Sequence, residues 1–417
     1  MQKKFEKFLI FSPILDLITA YLTLNQIFPL TLGSLIRAAI LFLFIIYIIV
    51  YSQSKYSSLS RMYILFLIIY FFVFMILQSI NKPLFILFRE FETFIKYFYF
   101  PILLVGILNL YEKNDFNLNL LSKVIFIYAF FIFFPTILGL SYSSYGIYEL
   151  GNKGWFYAAN EVGTILAILF PIAFYNIFFD NKKYVKLIAL LIITYTMFQI
   201  GTKVPALAVL ITISFVTIIM IFKSLNNKKN VLLIFLIIPL LFFVGLSLRN
   251  SPTLDVVQLV ISNTYNTTNI NSSALRSNTV IFSSRDLFLE NVSERAAEES
   301  IVLKVFGMGY YDHNNISSNR GNLTELDFHD VYYFYGKIGF VLYFFFIFVL
   351  FFHFLRIVIK QKKLYYNWEL TFLFLSMAIG LSVAAIAGHT ISAPAVSVFL
   401  AISITKFYLT YCKAGES

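Results

Sequence analysis

The chain has 417 residues, of which 59% are hydrophobic and only 13% charged, with a formal net charge of +11. That balance excludes a soluble globular domain, because a body of this size needs far more polar surface to face water. Its single cysteine, Cys412, excludes an internal disulfide and a thiolate zinc cluster. The Lys and Arg residues fall in short segments between apolar runs, which makes them orientation signals of a polytopic membrane protein and not a nucleic-acid footprint.

The first apolar run, Phe8 to about Phe28, follows a short basic segment, carries Asp16 and shows no small-residue cleavage site; it reads as a retained first span and not a signal peptide. Further runs of bilayer length lie near 33–51, 62–80, 96–111, 121–140, 158–179, 186–201, 204–222 and 231–248, and then near 331–355, 369–388 and 392–411. The expectation is an all-α polytopic membrane protein of about twelve transmembrane helices, divided as 1–248, a large extracytoplasmic loop at 249–330 containing amphipathic helices, and 331–417. With the N-terminus inside, basic residues such as Lys3, Lys4, Lys7, Lys55, Arg61, Lys113, Lys123, Lys186, Lys223, Arg356, Lys360 and Lys413 all fall on the cytoplasmic side. Few, among them Lys82, Arg89, Lys96 and Lys153, fall in the short outer loops. Both termini are therefore expected to be cytoplasmic. Segment Pro83 to Tyr99 mixes four charges with aromatics and supports two readings, an amphipathic helix lying at the outer surface and running into the fourth span, or a buried functional helix.

Charges at membrane depth are costly and need a reason. Arg37, Asn160, Glu161, Lys203, Arg249, His329, Asp330 and His389 all map to the outer ends of spans, which points to a shared polar cavity at one face; independent snorkelling to headgroups is the alternative for any single residue. Asp16, nearer mid-depth, has no evident partner. In the long polar stretch, Asn250 to about Asn278 is rich in Asn, Ser and Thr and reads as irregular. Ser284 to Val305 has apolar residues at helical spacing and reads as one amphipathic helix on the membrane surface, capped by Ser283 or Ser284 and holding Arg285 at its start. His313 lies in the polar run that follows. Glu325, Asp327, His329 and Asp330 then crowd four ionisable groups into six residues where the chain re-enters the apolar phase. Carboxylates beside a histidine make a proton acceptor with a tunable pKa, and a charged helix cap is the plainer reading. Arg37, Lys203, Arg249, Arg276 and Arg285 supply positive charge that would draw a diphosphate to this face. No metal-ligand spacing is present, and no cofactor is called for.

The run Glu325-x-Asp327-x-x-Asp330 followed by Tyr335-Gly336-x-x-Gly339 resembles the signature of the O-antigen ligase and polymerase superfamily. Gly154 to Glu161, Gly201-Thr202-Lys203, Ser283 to Asp286 and Gly307-x-Gly309 match in order as well. The resemblance implies metal-independent, inverting glycosyl transfer in a bacterial cytoplasmic membrane. A polyprenyl-diphosphate-linked oligosaccharide is the donor, membrane lipids surround it, and a chain-length regulator and a flippase are further partners. It implies that Arg285, with Lys203, Arg276 and Arg37, grips the diphosphate, that Asn160, Glu161, Arg249 and His389 line the substrate cavity, and that Glu325, Asp327, His329 and Asp330 are catalytic. In ligases the histidine is usually followed by Asn and a longer gap; here Asp330 follows and Gly336 comes soon after, which favours a surface-polysaccharide polymerase. A ligase-like transfer to a lipid or wall acceptor is the alternative, and a lipid-linked-sugar transporter is the rival from another class, although no internal repeat is present.

Overall fold

The structure, a computed structural model, describes residues 1–27, 32–146, 148–178, 183–224, 229–249, 251–258, 285–311, 321–361 and 367–416. It is built of long helices that run back and forth across one layer: α1 (Gln2–Leu24), α2 (Leu32–Ile46), α3 (Ser57–Asn81), α4 (Leu84–Tyr111), α5 (Leu118–Ile137), α6 (Ala159–Phe178), α7 (Lys183–Gln199), α8 (Lys203–Ser224) and α9 (Lys229–Arg249). Two short loop helices follow, α10 (Arg285–Glu298) and α11 (Ile301–Phe306), and then α12 (Asp327–Gln361), α13 (Trp368–Ile386) and α14 (Pro394–Glu416). Among the described residues nine helices are long and apolar enough to cross a bilayer, and α7, α8 and α9 carry shorter apolar stretches. The chain is a multi-pass membrane protein.

Local chemistry fixes several helix ends. Asn117 Oδ1 accepts from Asn119 N, Asn367 Oδ1 accepts from Leu370 N and Ser300 Oγ accepts from Leu303 N, satisfying donors that a helix N-terminus leaves orphaned. Packing then sorts the helices. α4, α6 and α14 are buried over most of their length, whereas α2, α3 and α12 present rows of exposed apolar side chains such as Phe42, Phe72, Ile76 and Phe352 to the surrounding phase. Ser376 Oγ donates to the Ile168 carbonyl and shares a hydrogen bond with Ser403 Oγ, so small polar groups cross-link α13, α6 and α14 where hydrocarbon offers no other partner. At the end of the bundle bearing Lys55, Lys113 and Lys413, Lys406 bridges Asp115 and Glu369. Asp115 is partly desolvated, which pushes its carboxyl up, but Lys406 and Lys413 outweigh this and hold it below the ordinary range.

The opposite end carries every long loop, and there the structure departs from the sequence expectations. The segment after Pro83 is the first half of α4 and runs on into the fourth span as expected, but its Glu90 is 1% exposed, which agrees with the buried reading and not the surface one. The predicted helix 284–305 is two helices, because Ser300 caps a new start at Ile301. α12 begins at Asp327, ahead of the expected 331. A two-stranded hairpin, β1 (Ser143–Tyr145) with β2 (Leu150–Asn152), was not expected at all. Asp16 does have partners: Arg37, which sits in a close ion pair with it, and Tyr128, whose hydroxyl donates at 2.6 Å. The predicted Ser283/Ser284 cap, Arg276, His313 and most of Asn250–Asn278 lie outside the described residues.

One device joins the loop helices to the bundle. α12 breaks at Gly336 (φ 64°, ψ −172°), a backbone region open only to glycine, and the break frees carbonyls that an unbroken helix would use itself. Met308 N donates to Tyr333 O, Gly309 N to Phe334 O, and the Tyr70 hydroxyl to Tyr335 O and Phe306 O. From the other side, Gln78 donates to Gly307 O and Lys82 to Met308 O, and Glu90 accepts from Tyr310 N, Tyr311 N and Lys82 Nζ. A Cβ on Gly336 would lie 2.5 Å from both Gly307 N and Val305 O. Gly336→Ala is therefore expected to cost about 1–3 kcal/mol of backbone strain plus the displaced contact, read as a fall in melting temperature of the detergent-solubilised protein.

Candidate functional site

The end of the bundle that carries the loops gathers the N-termini of α6, α8, α10, α12 and α14. Gly151 of the hairpin packs against the Ile200 carbonyl, Gly201 against Gly151 and Pro252, and Gly163 of α6 against Thr202 and Pro205. These close approaches set the first turns of α6 and α8, the hairpin and the 252–258 helical segment side by side.

Arg285, the first residue of α10, reaches Glu325 (Nε to Oε2 3.4 Å), and the two side chains are 11% and 25% exposed. Lys203, the first residue of α8, lies in the electrostatic field of Arg285, and so does Tyr145 of the hairpin. Burial pushes the Tyr145 phenol up and the Arg285 charge pulls it back. Two cations brought together at helix N-termini, one of them paired with a carboxylate, make an anion-accepting corner. Around it the hydroxyls of Ser144, Thr202 and Ser251 and Oδ1 of Asp286 are buried with no hydrogen-bond partner among the described residues. Buried polar atoms of this kind call for a polar ligand or ordered water.

A second group lies beside the first. Glu161, in the first turn of α6, is within the field of Asp16, Arg37, His389 and Lys96. His389 has a left-handed backbone (φ 59°) in the α13–α14 turn, and that turn is held by Asp327. The Asp327 carboxylate accepts from His389 N (3.0 Å), Thr390 N (2.7 Å), Ile391 N (2.9 Å) and Ser392 Oγ (2.6 Å). Gly388 lets the same turn close onto the Glu325 carbonyl, where a Cβ would lie 2.3 Å from the oxygen.

The structure surrounds Asp327 and Asp330 with hydrogen-bond donors. Asp327 is 0% exposed and its lone pairs are taken by four donors; Asp330 is 1% exposed and accepts from Thr324 N and Oγ1, both at 2.7 Å, and from the Tyr97 hydroxyl at 3.3 Å. Both brace the segment that carries Glu325. His329 is exposed on the first turn of α12, between the two braces in sequence but on another face. Arg37 is 7% exposed and tied to Asp16. Asn160 is exposed in the first turn of α6, and Arg249 is exposed in the last turn of α9. Tyr145 and the hairpin are the contributors that sequence reasoning missed; the run of Ser and Tyr at 141–145 followed by Gly146 was the available signal. Among the described residues no cluster of His, Cys, Asp and Glu could hold a metal ion.

The family described as O-antigen ligase like membrane protein matches residues 2–273 and 261–413. The chain belongs to this family. No curated protein matches it by sequence. Membership makes it a glycan-transferring membrane enzyme that acts on a lipid-linked glycan. In the fold, the Gly336 break and Gly307–Gly309 are the two halves of one joint, and the Asp327 brace and Gly388 are two halves of another.

Asp327→Ala would leave three buried backbone N–H groups without an acceptor and is expected to cost about 3 kcal/mol or more, whereas Asp327→Asn keeps one acceptor oxygen and should cost less. Chemical or thermal unfolding of both variants in the same detergent checks the order.

Proposed function

We propose that the protein polymerises a bacterial surface polysaccharide on the outer face of the cytoplasmic membrane, using a polyprenyl-diphosphate-linked oligosaccharide as donor. The observation that carries the reading is the corner formed by Lys203, Arg285 and the α8 and α10 N-termini, at the end of the bundle away from its Lys-rich end. There a diphosphate meets charge without leaving the headgroup level, and its lipid tail stays in the bilayer.

In the step proposed, a hydroxyl of the acceptor sugar attacks the anomeric carbon of the donor. The new C–O bond forms as the anomeric C–O bond to phosphate breaks, the lipid diphosphate departs with the bonding electrons, and the hydroxyl proton passes to a base. Arg285 and Lys203 neutralise the departing diphosphate, a role that positive side chains fill without a metal ion. Inversion needs the attacking hydroxyl on the side of the sugar opposite the diphosphate. Glu325, bound to Arg285, stands on the diphosphate side and serves to orient that arginine. Glu161, which lies in the field of His389, and His389 itself, whose turn closes onto the Glu325 carbonyl, are the proposed proton acceptors. Asp327 positions His389 through its backbone, and His329, exposed on α12, is left to contact the sugar chain. The termini are then cytoplasmic.

The test is purified protein with a defined lipid-diphosphate oligosaccharide, followed by product length. Growth in whole repeat steps is the expected result; a single transfer to another acceptor would make the protein a ligase, and inert substrate would remove both readings. Arg285→Ala is expected to lower the rate about 100-fold or more, and Arg285→Lys to recover part of it, since the charge returns without the two-pronged geometry.

A further inference from the structure

Glu325 combines a fixed backbone with a loosely held side chain. Its backbone is left-handed (φ 60°), a conformation that costs a residue bearing a Cβ and persists only where the surroundings impose it. Three contacts impose it. Thr324 donates its N–H and its hydroxyl to Asp330, both at 2.7 Å, Leu326 N donates to Thr324 Oγ1 at 3.1 Å, and the Gly388 turn closes onto the Glu325 carbonyl itself. Thr324 and Leu326 are 0% and 3% exposed, so the chain is sealed on either side of a residue whose own side chain is 25% exposed.

The ion pair made by that side chain differs in kind from the one on the α3–α4 turn. Lys82 and Glu90 meet at 2.7 Å with side chains 2% and 1% exposed, and Tyr310 N and Tyr311 N also donate to the carboxylate. Arg285 Nε and Glu325 Oε2 stand 3.4 Å apart, beyond the ~2.7–2.9 Å of a strong charge-assisted bond, with side chains 11% and 25% exposed. Among the described residues no donor other than Arg285 reaches the Glu325 carboxylate. Opening the first pair would strand a buried charge, whereas opening the second exposes both partners to water at little cost. Arg285 is the first residue of α10, so the helix end adds to its preference for an anion, and a guanidinium accepts phosphate in the same geometry as carboxylate.

We propose that Glu325 is a resident counter-anion of the Arg285 site, displaced by an incoming diphosphate and returned when the diphosphate leaves. The inference rests on the reading that Arg285 grips the diphosphate of the donor. Because the backbone on both sides of Glu325 is braced, the exchange needs only rotation about side-chain bonds, and no helix has to move. In the resting protein the carboxylate neutralises and orients the arginine; during transfer the diphosphate takes its place. Apparent affinity is then reduced by the fraction of the protein in which Glu325 holds Arg285. The same competition acts on the lipid diphosphate left after transfer, so the carboxylate that weakens entry also speeds product departure.

The experiment titrates farnesyl diphosphate into the full chain in nanodiscs and compares the dissociation constants of wild type, Arg285→Ala, Glu325→Gln and Glu325→Asp. Glu325→Gln is expected to bind about two- to five-fold tighter than wild type, the range of a partly exposed ion pair. Glu325→Asp keeps the charge, tolerates the left-handed backbone and draws the carboxylate back by one methylene, so it too is expected to bind tighter. Wild-type binding by Glu325→Asp would reduce Glu325 to a background charge, and weaker binding by both variants would make it a support for Arg285; either result overturns the exchange. In chain growth, Glu325→Gln should lower KM and kcat together, which a merely structural defect would not do. Should both variants aggregate, an electron cryomicroscopy map of the wild type with farnesyl methylenediphosphonate decides: Glu325 turned away from Arg285 is expected, and Glu325 still bound to it beside the ligand overturns the inference. Binding that Arg285→Ala weakens and neither Glu325 variant tightens sinks this inference and leaves the donor reading standing; binding indifferent to Arg285→Ala removes both.

Discussion

A carboxylate buried at membrane depth is tolerated only when its charge and its lone pairs are both met, and Glu90 meets that condition with partners from a distant part of the chain. Lys82 supplies the counter-charge at 2.7 Å, and the backbone N–H groups of Tyr310 and Tyr311 supply the hydrogen bonds. Burial pushes the Tyr310 phenol up to about 12. The consequence reaches the chemistry. α10 buries little of itself, chiefly Val292 and Ala296 against Met308 and Tyr333, so its place over the bundle depends on the Gly307–Tyr311 segment that follows it. Through that segment the pair on the α3–α4 turn sets where Arg285 stands.

The acidic residues of this face divide into two kinds, and the division follows from access. Asp327, Asp330 and Glu90 are surrounded by donors and sealed from solvent; each fixes a backbone segment that would otherwise carry unpaired N–H groups across an apolar boundary. Glu325 and Glu161 are partly exposed; the first pairs with Arg285, and the second lies in the field of Asp16, Arg37, His389 and Lys96. Groups of the first kind hold the segments on which Glu325 and His389 sit.

Composition and apolar run length made the membrane class legible, because nothing else satisfies the backbone in hydrocarbon. The sequence also placed Lys203, Arg285 and the 325–330 segment at one face, since charge bias fixes which helix ends share a side. It did not show which acids are braces. Asp327 and Glu325 look alike in a string of letters; the difference is the turn at 389–392, more than sixty positions away, that donates to one and not the other. Asp16 likewise looked solitary because its partners lie on α2 and α5. The Glu90 joint was hidden for a further reason: four charges between Pro83 and Tyr99 suggest a surface helix, and only the packing of Tyr310 and Tyr311 shows that one of them points inward. The hairpin was passed over because six residues of strand give little periodicity beside helices four times as long.

The central claim is that a lipid-linked diphosphate docks between α8 and α10. It is tested most directly by an electron cryomicroscopy map of the protein with a non-transferable phosphonate analogue of a lipid-diphosphate oligosaccharide. The account predicts density for the two phosphorus groups within hydrogen-bond reach of Arg285 and Lys203, with the sugar directed toward Glu161 and His389. Diphosphate density on any other part of the surface, with Arg285 still bound to Glu325 alone, would contradict it.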